Sequence, residues 1–207
     1  MKCGLVYDLF FEKHRTGSGH PEQPVRASHV YREIVKAGLL PKTLKINPKA
    51  CREETLALAH DSTYLAQAKK DILRGLSVLS TGDTQVCTDS WEVSLRATGG
   101  VLQAVDQVMS GPIKRAFCLT RPPGHHATPS KGMGFCIFNH IAIAAKYAQK
   151  KHGVGKILIV DWDVHHGNGT QDVFYEDDSV LFLSTHQSPW YPGTGNREET
   201  GKGKGLG

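Results

Sequence analysis

Apolar and polar positions change period several times along the chain, and each change marks an element. Residues 2–7, KCGLVY, form a short apolar run of the kind a buried strand needs. From Pro24, PVRASHVYREIVKAGLL carries apolar residues at helical spacing, opened by a proline, with Val30, Ile34 and Val35 on the apolar side. The intervening DLFFEKHRTGSGHPEQ reads as a polar loop. Helical stretches return around Glu54–His60 and Ser62–Leu73 and, after the loop STGDTQVCTD, from about Ser90 to Met109. Gly99 and Gly100 count against the middle of that last helix, because each glycine costs about 1 kcal/mol relative to alanine.

Downstream the pattern becomes regular. RAFCLT (115–120) is strand-like, IFNHIAIAAKYAQKK helical, KILIVDWD a strand, Gly169 to Tyr175 a short helix, and SVLFLSTH a further strand. Near-continuous apolar strands alternating with helices predict an α/β fold: a parallel sheet with helices on both faces, built as one domain over residues 1–207. Ligands in such folds collect beyond the carboxyl ends of the strands. All three strands here end in polar, glycine-rich loops, RPPGHHATPSKGMGF, DWDVHHGNG and THQSPWYPGTG. The final GKGKGLG is low in complexity and reads as a flexible tail or part of a loop.

Composition narrows this picture. With 39% hydrophobic and 22% charged residues among 207, the chain suffices for one sizeable core and is short for two. The formal charge of +5 is dispersed, and its densest cluster, Lys150, Lys151, His152 and Lys156, reads as solvated surface. No aromatic interleaving or basic stripe supports direct nucleic-acid binding. The five cysteines are odd in number, widely spaced and without a C-x-x-C pair, which points to a reducing compartment rather than to disulfides or a cysteine zinc site. No signal-like segment is present, nor any run of about eighteen apolar residues, so no membrane partner is expected. The expectation is a soluble intracellular protein, cytoplasmic, or nuclear in a eukaryote.

Chemistry concentrates in DWDVHHGNG. If the strand stays extended, Asp161, Asp163 and His165 point to one side and Trp162 and Val164 to the other. A catalytic zinc takes three protein ligands from His nitrogen and Asp oxygen and keeps an open position for water, and Asp163 and His165 would supply two of the three. Taken alone, Asp161 reads as a strand-end carboxylate bound by backbone donors, and His166 as a capping or packing residue. GHHA at the end of the preceding strand changes that balance. His125 and His126, fixed by flanking prolines and glycines, could act as base and acid toward a metal-bound water, each oriented by a carboxylate or amide on its far nitrogen.

These residues are not anonymous. RPPGHHA…GFCIFNH, VDWDVHHGNGTQDVFY and STHQSPWYPGTG, with GHPEQPVRASHV and GDTQVCTDSW before them, closely resemble the zinc-dependent histone deacetylase family, which includes acetylpolyamine amidohydrolases. The resemblance covers essentially the whole chain, and Asn168 looks more like class II enzymes and their bacterial relatives. It implies an arginase/deacetylase-like three-layer fold and removal of acetyl groups from lysine side chains or polyamines. It makes Asp163 and His165 zinc ligands, and His125 and His126 the pair beside the metal-bound water. Asp161 would buttress His125, and Asn168, more weakly, His126. Phe135, Tyr191 and Gly134 would line the channel for the acyl-lysine stem, Asp83 would grip substrate backbone at the rim, and Arg26 would stand at the foot of an acetate cavity. A structural potassium is implied through Asp161, Asp163, His165, Ser184 and Thr185. A binuclear manganese ureohydrolase on the related arginase-like fold is disfavoured, because a second metal needs further bridging carboxylates.

The family's third zinc ligand, an aspartate, and its oxyanion tyrosine belong to later loops, and this sequence ends before either. The simplest expectation is a fold incomplete at its C-terminus, truncated before the last catalytic loops. A naturally short, weakly active or inactive acyl-lysine-binding or scaffold protein is the rival. Completion of the site by a second chain leaves oligomerisation open.

Overall fold

The computed structural model describes residues 2–205. Among the described residues there are five strands and five α-helices, alternating except for two consecutive helices before the third strand, and the strands pair in parallel. Strands β1 (Cys3–Val6), β2 (Thr43–Ile46) and β3 (Ala116–Cys118) form one sheet in the order β2-β1-β3, while β4 (Ile157–Asp161) and β5 (Val180–Ser184) form a second. The single sheet expected through β3, β4 and β5 is therefore divided among the described residues, with no pairing between β3 and β4.

Helix α1 (Val25–Lys36) covers one face of the first sheet. Its buried contacts come from Ala27, with Tyr31 and Ile34 packed beside it against Leu5, Leu119 and Tyr7. Tyr7 and Tyr31 stack at 4.1 Å. The expected apolar side is thus corrected: Ile34 faces inward, but Val30 and Val35 are exposed, because the contact stripe runs through 27, 31 and 34.

The other face of β1 meets α3 (Ser90–Met109), where Val6 and Ile46 pack with Ala104 and Ile113. Helix α3 runs unbroken through Gly99 and Gly100. A Cβ on Gly99 would collide with the backbone of Lys49, so close approach explains a glycine that propensity argues against. Strand β2 escaped the sequence pattern, since TLKI is half polar and sits at the sheet edge.

The main core lies between α2 (Ser62–Leu73), α3, α4 (His140–His152), α5 (Asn168–Phe174) and the inner face of β4–β5. Tyr64, Ile72, Trp91, Phe138, Ile143, Ile159, Phe174 and Phe182 meet there. Side chains on the opposite face of β4–β5, Leu158, Val160, Leu181 and Leu183, are exposed, so helices cover this pair on one face only among the described residues. Glu53–Leu58 is a 3-10 helix where a helical stretch was expected. DLFFEKHRTGSGHPEQ is no simple polar loop, because a 3-10 turn at Leu9–Lys13 buries Phe11, and His14 and Glu22 are buried beyond it. In the glycine-rich tail, Lys202 N–H donates to Tyr175 O at 2.8 Å, and residues 206 and 207 lie outside the described range. No described helix is long and apolar enough to cross a membrane.

Candidate active site

The loops after β3, β4 and β5 converge. After β4 the chain does not stay extended as alternation required: Asp163 N–H donates to Asp161 Oδ1 at 3.1 Å, and His165 N–H donates to Asp163 Oδ1 at 2.9 Å. These i to i+2 bonds fold the segment through successive Asx turns. The acidic residues still face common ground, while Trp162 and Val164 are exposed. Asp163 Oδ1 lies 3.1 Å from His165 Nδ1.

The loop after β3 brings His125 and His126 to the same place, with ring centroids 4.0 Å apart. His125 Nδ1 is 2.8 Å from Asp161 Oδ2, and His126 Nδ1 is 2.8 Å from Asn168 Oδ1. Both partners are oxygens that can only accept, so each Nδ1 carries the proton and each Nε2 lone pair is left free. His125 Nε2 is 4.0 Å from Asp163 Oδ1. A Cβ on Gly167 would run into Asp161 Oδ2 and crowd His125 Nδ1, so this glycine lets the loop after β4 close on the pair.

Electrostatics separates the two imidazoles. Burial and the neighbouring His125 push the pKa of His126 down to about 4, against a smaller opposing effect of the bond to Asn168. Burial works to raise the pKa of Asp161, but the hydrogen bond and charge of His125 outweigh it and leave the carboxylate below its ordinary range.

Asp163 and His165 suit zinc in kind and in spacing, since two donors on one tetrahedral zinc stand about 3.3 Å apart. Among the described residues no group of three or more His, Cys, Asp or Glu side chains is placed to hold a metal ion. At the C-terminal end of the sheet Asp161 and Ser184 are register partners, and Thr185 N–H donates to Asp161 O at 2.9 Å. Ser184 Oγ is also 2.8 Å from His186 Nδ1. His166 is a packing residue, buried with Nδ1 at 2.8 Å from Thr194 Oγ1. It lines an open cavity of about 1040 Å³ that includes neither His125 nor His126.

Of the remaining expected residues, Tyr191, Gly134 and Asp83 gather beside His126, and Arg26 stands apart. Tyr191 stands edge-on to His126 at 5.1 Å and to His165 at 6.1 Å. Gly134 lies against the His126 ring, and Phe135 follows it with φ 68°, its ring 4.5 Å from His20. Asp83 accepts from Gly134 N–H and from Tyr191 O–H. Arg26 has a largely exposed side chain, 3.5 Å from Glu22.

Arg121 escaped the sequence reading although it opens RPPGHHA. Its buried guanidinium makes a bidentate pair with Glu22 at 2.7 and 2.6 Å and donates to Phe11 O and His14 O. The pair fastens the histidine loop to the N-terminal loop, a role in specifying geometry more than in net stability. HPE and RPP, each ahead of a site motif, were the signal available.

A family model described as the histone deacetylase domain matches residues 20–207. The probable deacetylase of Archaeoglobus fulgidus is 39% identical over 210 residues, taking in 100% of this chain and 57% of its own length. Histone deacetylase 14, chloroplastic, of Arabidopsis thaliana is 38% identical over 221 residues, covering 98% of this chain and 52% of its own. The crystal structure of the HDA15 HD domain superposes with a TM-score of 0.92 at 34% identity, over 98% of this chain and 61% of that one. The chain thus spans a little over half the length of these relatives. A family model matched over most of the sequence and a shared fold establish that the chain belongs to the histone deacetylase family.

Proposed function

We propose that the protein is a zinc-dependent amidohydrolase that removes acetyl groups from lysine side chains in proteins or from polyamines. The observation that carries this reading is the pair of tandem histidines, each with its Nε2 free, beside the Asp163–His165 donor pair. Zinc held by Asp163 and His165 would polarise the amide carbonyl and make bound water acidic. A potassium ion at Asp161, Asp163, His165, Ser184 and Thr185 would add positive charge next to it.

The protein's own residues divide the proton work. His126 is neutral near pH 7, so its Nε2 lone pair takes the proton of the attacking water. His125, held at Nδ1 by the Asp161 carboxylate 2.8 Å away, is the residue placed to pass a proton on to the leaving amine. Tyr191 and Gly134 lie against His126, and with Phe135, which follows Gly134, they would line the approach for the acyl-lysine stem.

Hydrolysis of a fluorogenic acetyl-lysine peptide tests the reading. Turnover that disappears on chelation and in His125→Ala is expected of this chain joined to the family's later loops; no acetate released by that extended, zinc-loaded protein, or turnover indifferent to chelation, contradicts it. A second reading is a non-catalytic acyl-lysine-binding module that uses the same pocket. That reading requires acetyl-peptide binding that survives both His125→Ala and chelation.

A further inference from the structure

The loop between α2 and α3 contacts the turn beside His126 through three consecutive side chains or their partners. Asp83 Oδ1 accepts Gly134 N–H at 2.8 Å. Buried Thr84 donates from Oγ1 to Cys136 O at 3.1 Å. Gln85 Oε1 is 2.9 Å from His20 Nε2, and the His20 ring meets the edge of Phe135. The turn they brace is conformationally expensive. Gly134 and Phe135 have φ of 56° and 68°, and Phe135 is the one non-glycine residue with positive φ among those described. An aromatic side chain held in that left-handed region is strained, so the surroundings must over-determine it.

The second oxygen of Asp83 reaches across the approach. Oδ2 accepts the Tyr191 hydroxyl at 3.1 Å, 108 positions along the chain. Tyr191 in turn stands edge-on to His126. One carboxylate therefore joins the Gly134–Phe135 side of the approach to the Tyr191 side, with an oxygen for each.

We infer that Asp83 is a positioning residue that sets the separation of the Phe135 and Tyr191 walls, and that it acts on any acylated amine entering between them. The inference rests on the proposed function for its ligand class and differs from a rim residue that grips substrate backbone. Its consequence is that a ligand without backbone amides depends on Asp83 as much as a peptide does.

The test compares two probes with the same stem, an acetyl-lysine peptide and monoacetylated 1,5-diaminopentane, by calorimetry on the zinc-loaded chain. Hydrogen exchange at the Gly134 amide is followed in parallel. Loss of charge-assisted hydrogen bonds predicts that Asp83→Ala weakens both probes by the same factor, roughly tenfold, and speeds Gly134 exchange. Tyr191→Phe, which removes the cross-channel bond alone, weakens both by roughly threefold and leaves Gly134 protected. Asp83→Asn, with one acceptor oxygen, falls between the two. Weakening confined to the peptide in Asp83→Ala, or unchanged Gly134 exchange in that variant, overturns the inference. If the wild type binds neither probe, the proposed function fails, and Gly134 exchange alone decides whether Asp83 holds the turn.

Discussion

His125 and His126 are sequence neighbours with rings 4.0 Å apart, yet one leans on a carboxylate and the other on an amide. Asp161 offers full negative charge to the Nδ1 proton of His125. Asn168 offers only a dipole, and burial keeps His126 neutral. Two side chains of one type thereby stand in different surroundings, which in the proposed mechanism would suit them to different proton roles, and the difference comes from residues 36 and 42 positions away.

The strongest way to break this asymmetry is Asp161→Asn. An amide there can present its NH2 to Nδ1 and favour the wrong tautomer, and hydrolysis should fall by about 10³-fold or more. Gly167→Ala attacks the same pair sterically, since its methyl meets Asp161 Oδ2 and crowds His125, and a loss of about 10²-fold is expected from ångström-scale misplacement. Asn168→Ala should cost less, about tenfold, because a neutral hydrogen bond is removed. Steady-state rates of acetyl-peptide hydrolysis rank the three, and equal losses for Asp161→Asn and Asn168→Ala would erase the distinction between the histidines.

Asn168→Asp sharpens the comparison from the other side. The added carboxylate should raise the pKa of His126 from about 4, visible in its NMR titration, and move the acid limb of hydrolysis to higher pH. An unmoved titration would show that burial alone governs this residue. A smaller effect concerns stability. Burial also lowers His14 to about 3 and His60 and His140 to about 4, with Arg121 adding to the shift at His14. The unfolded chain takes up protons below the ordinary value of 6.5 that the folded chain rejects. Stability is therefore full above pH 6.5 and is lost as pH falls toward 4 and 3, by on the order of 3 kcal/mol for a fully buried histidine such as His140. Thermal unfolding at pH 7 and pH 4 measures this, and a melting temperature that does not fall on acidification contradicts it.

Local pattern carried the helices well: α2 and α3 occupy the stretches their periodicity marks, and β1, β4 and β5 fall inside the expected apolar runs. What escaped depends on long-range pairing. The division into two sheets, the inward stripe of α1 at Ala27, Tyr31 and Ile34, and the bare face bearing Leu158, Val160, Leu181 and Leu183 are set by partners far along the chain. At the site, alternation brought Asp161, Asp163 and His165 together for the wrong reason, since Asx turns and not an extended strand gather them. The ties of Asp83 to Gly134 and Tyr191 and of Arg121 to Glu22 leave no local trace, because side-chain partners 51 to 108 positions apart have no period.

Anomalous scattering at the zinc edge from crystals of the zinc-loaded chain locates the metal. One peak bonded to Asp163 Oδ1 and His165 Nδ1, next to the free Nε2 atoms of His125 and His126 and lost in Asp163→Ala, is the predicted result. Zinc held elsewhere, for example between His166 and His186, with Asp163 and His165 left unbound, would contradict it.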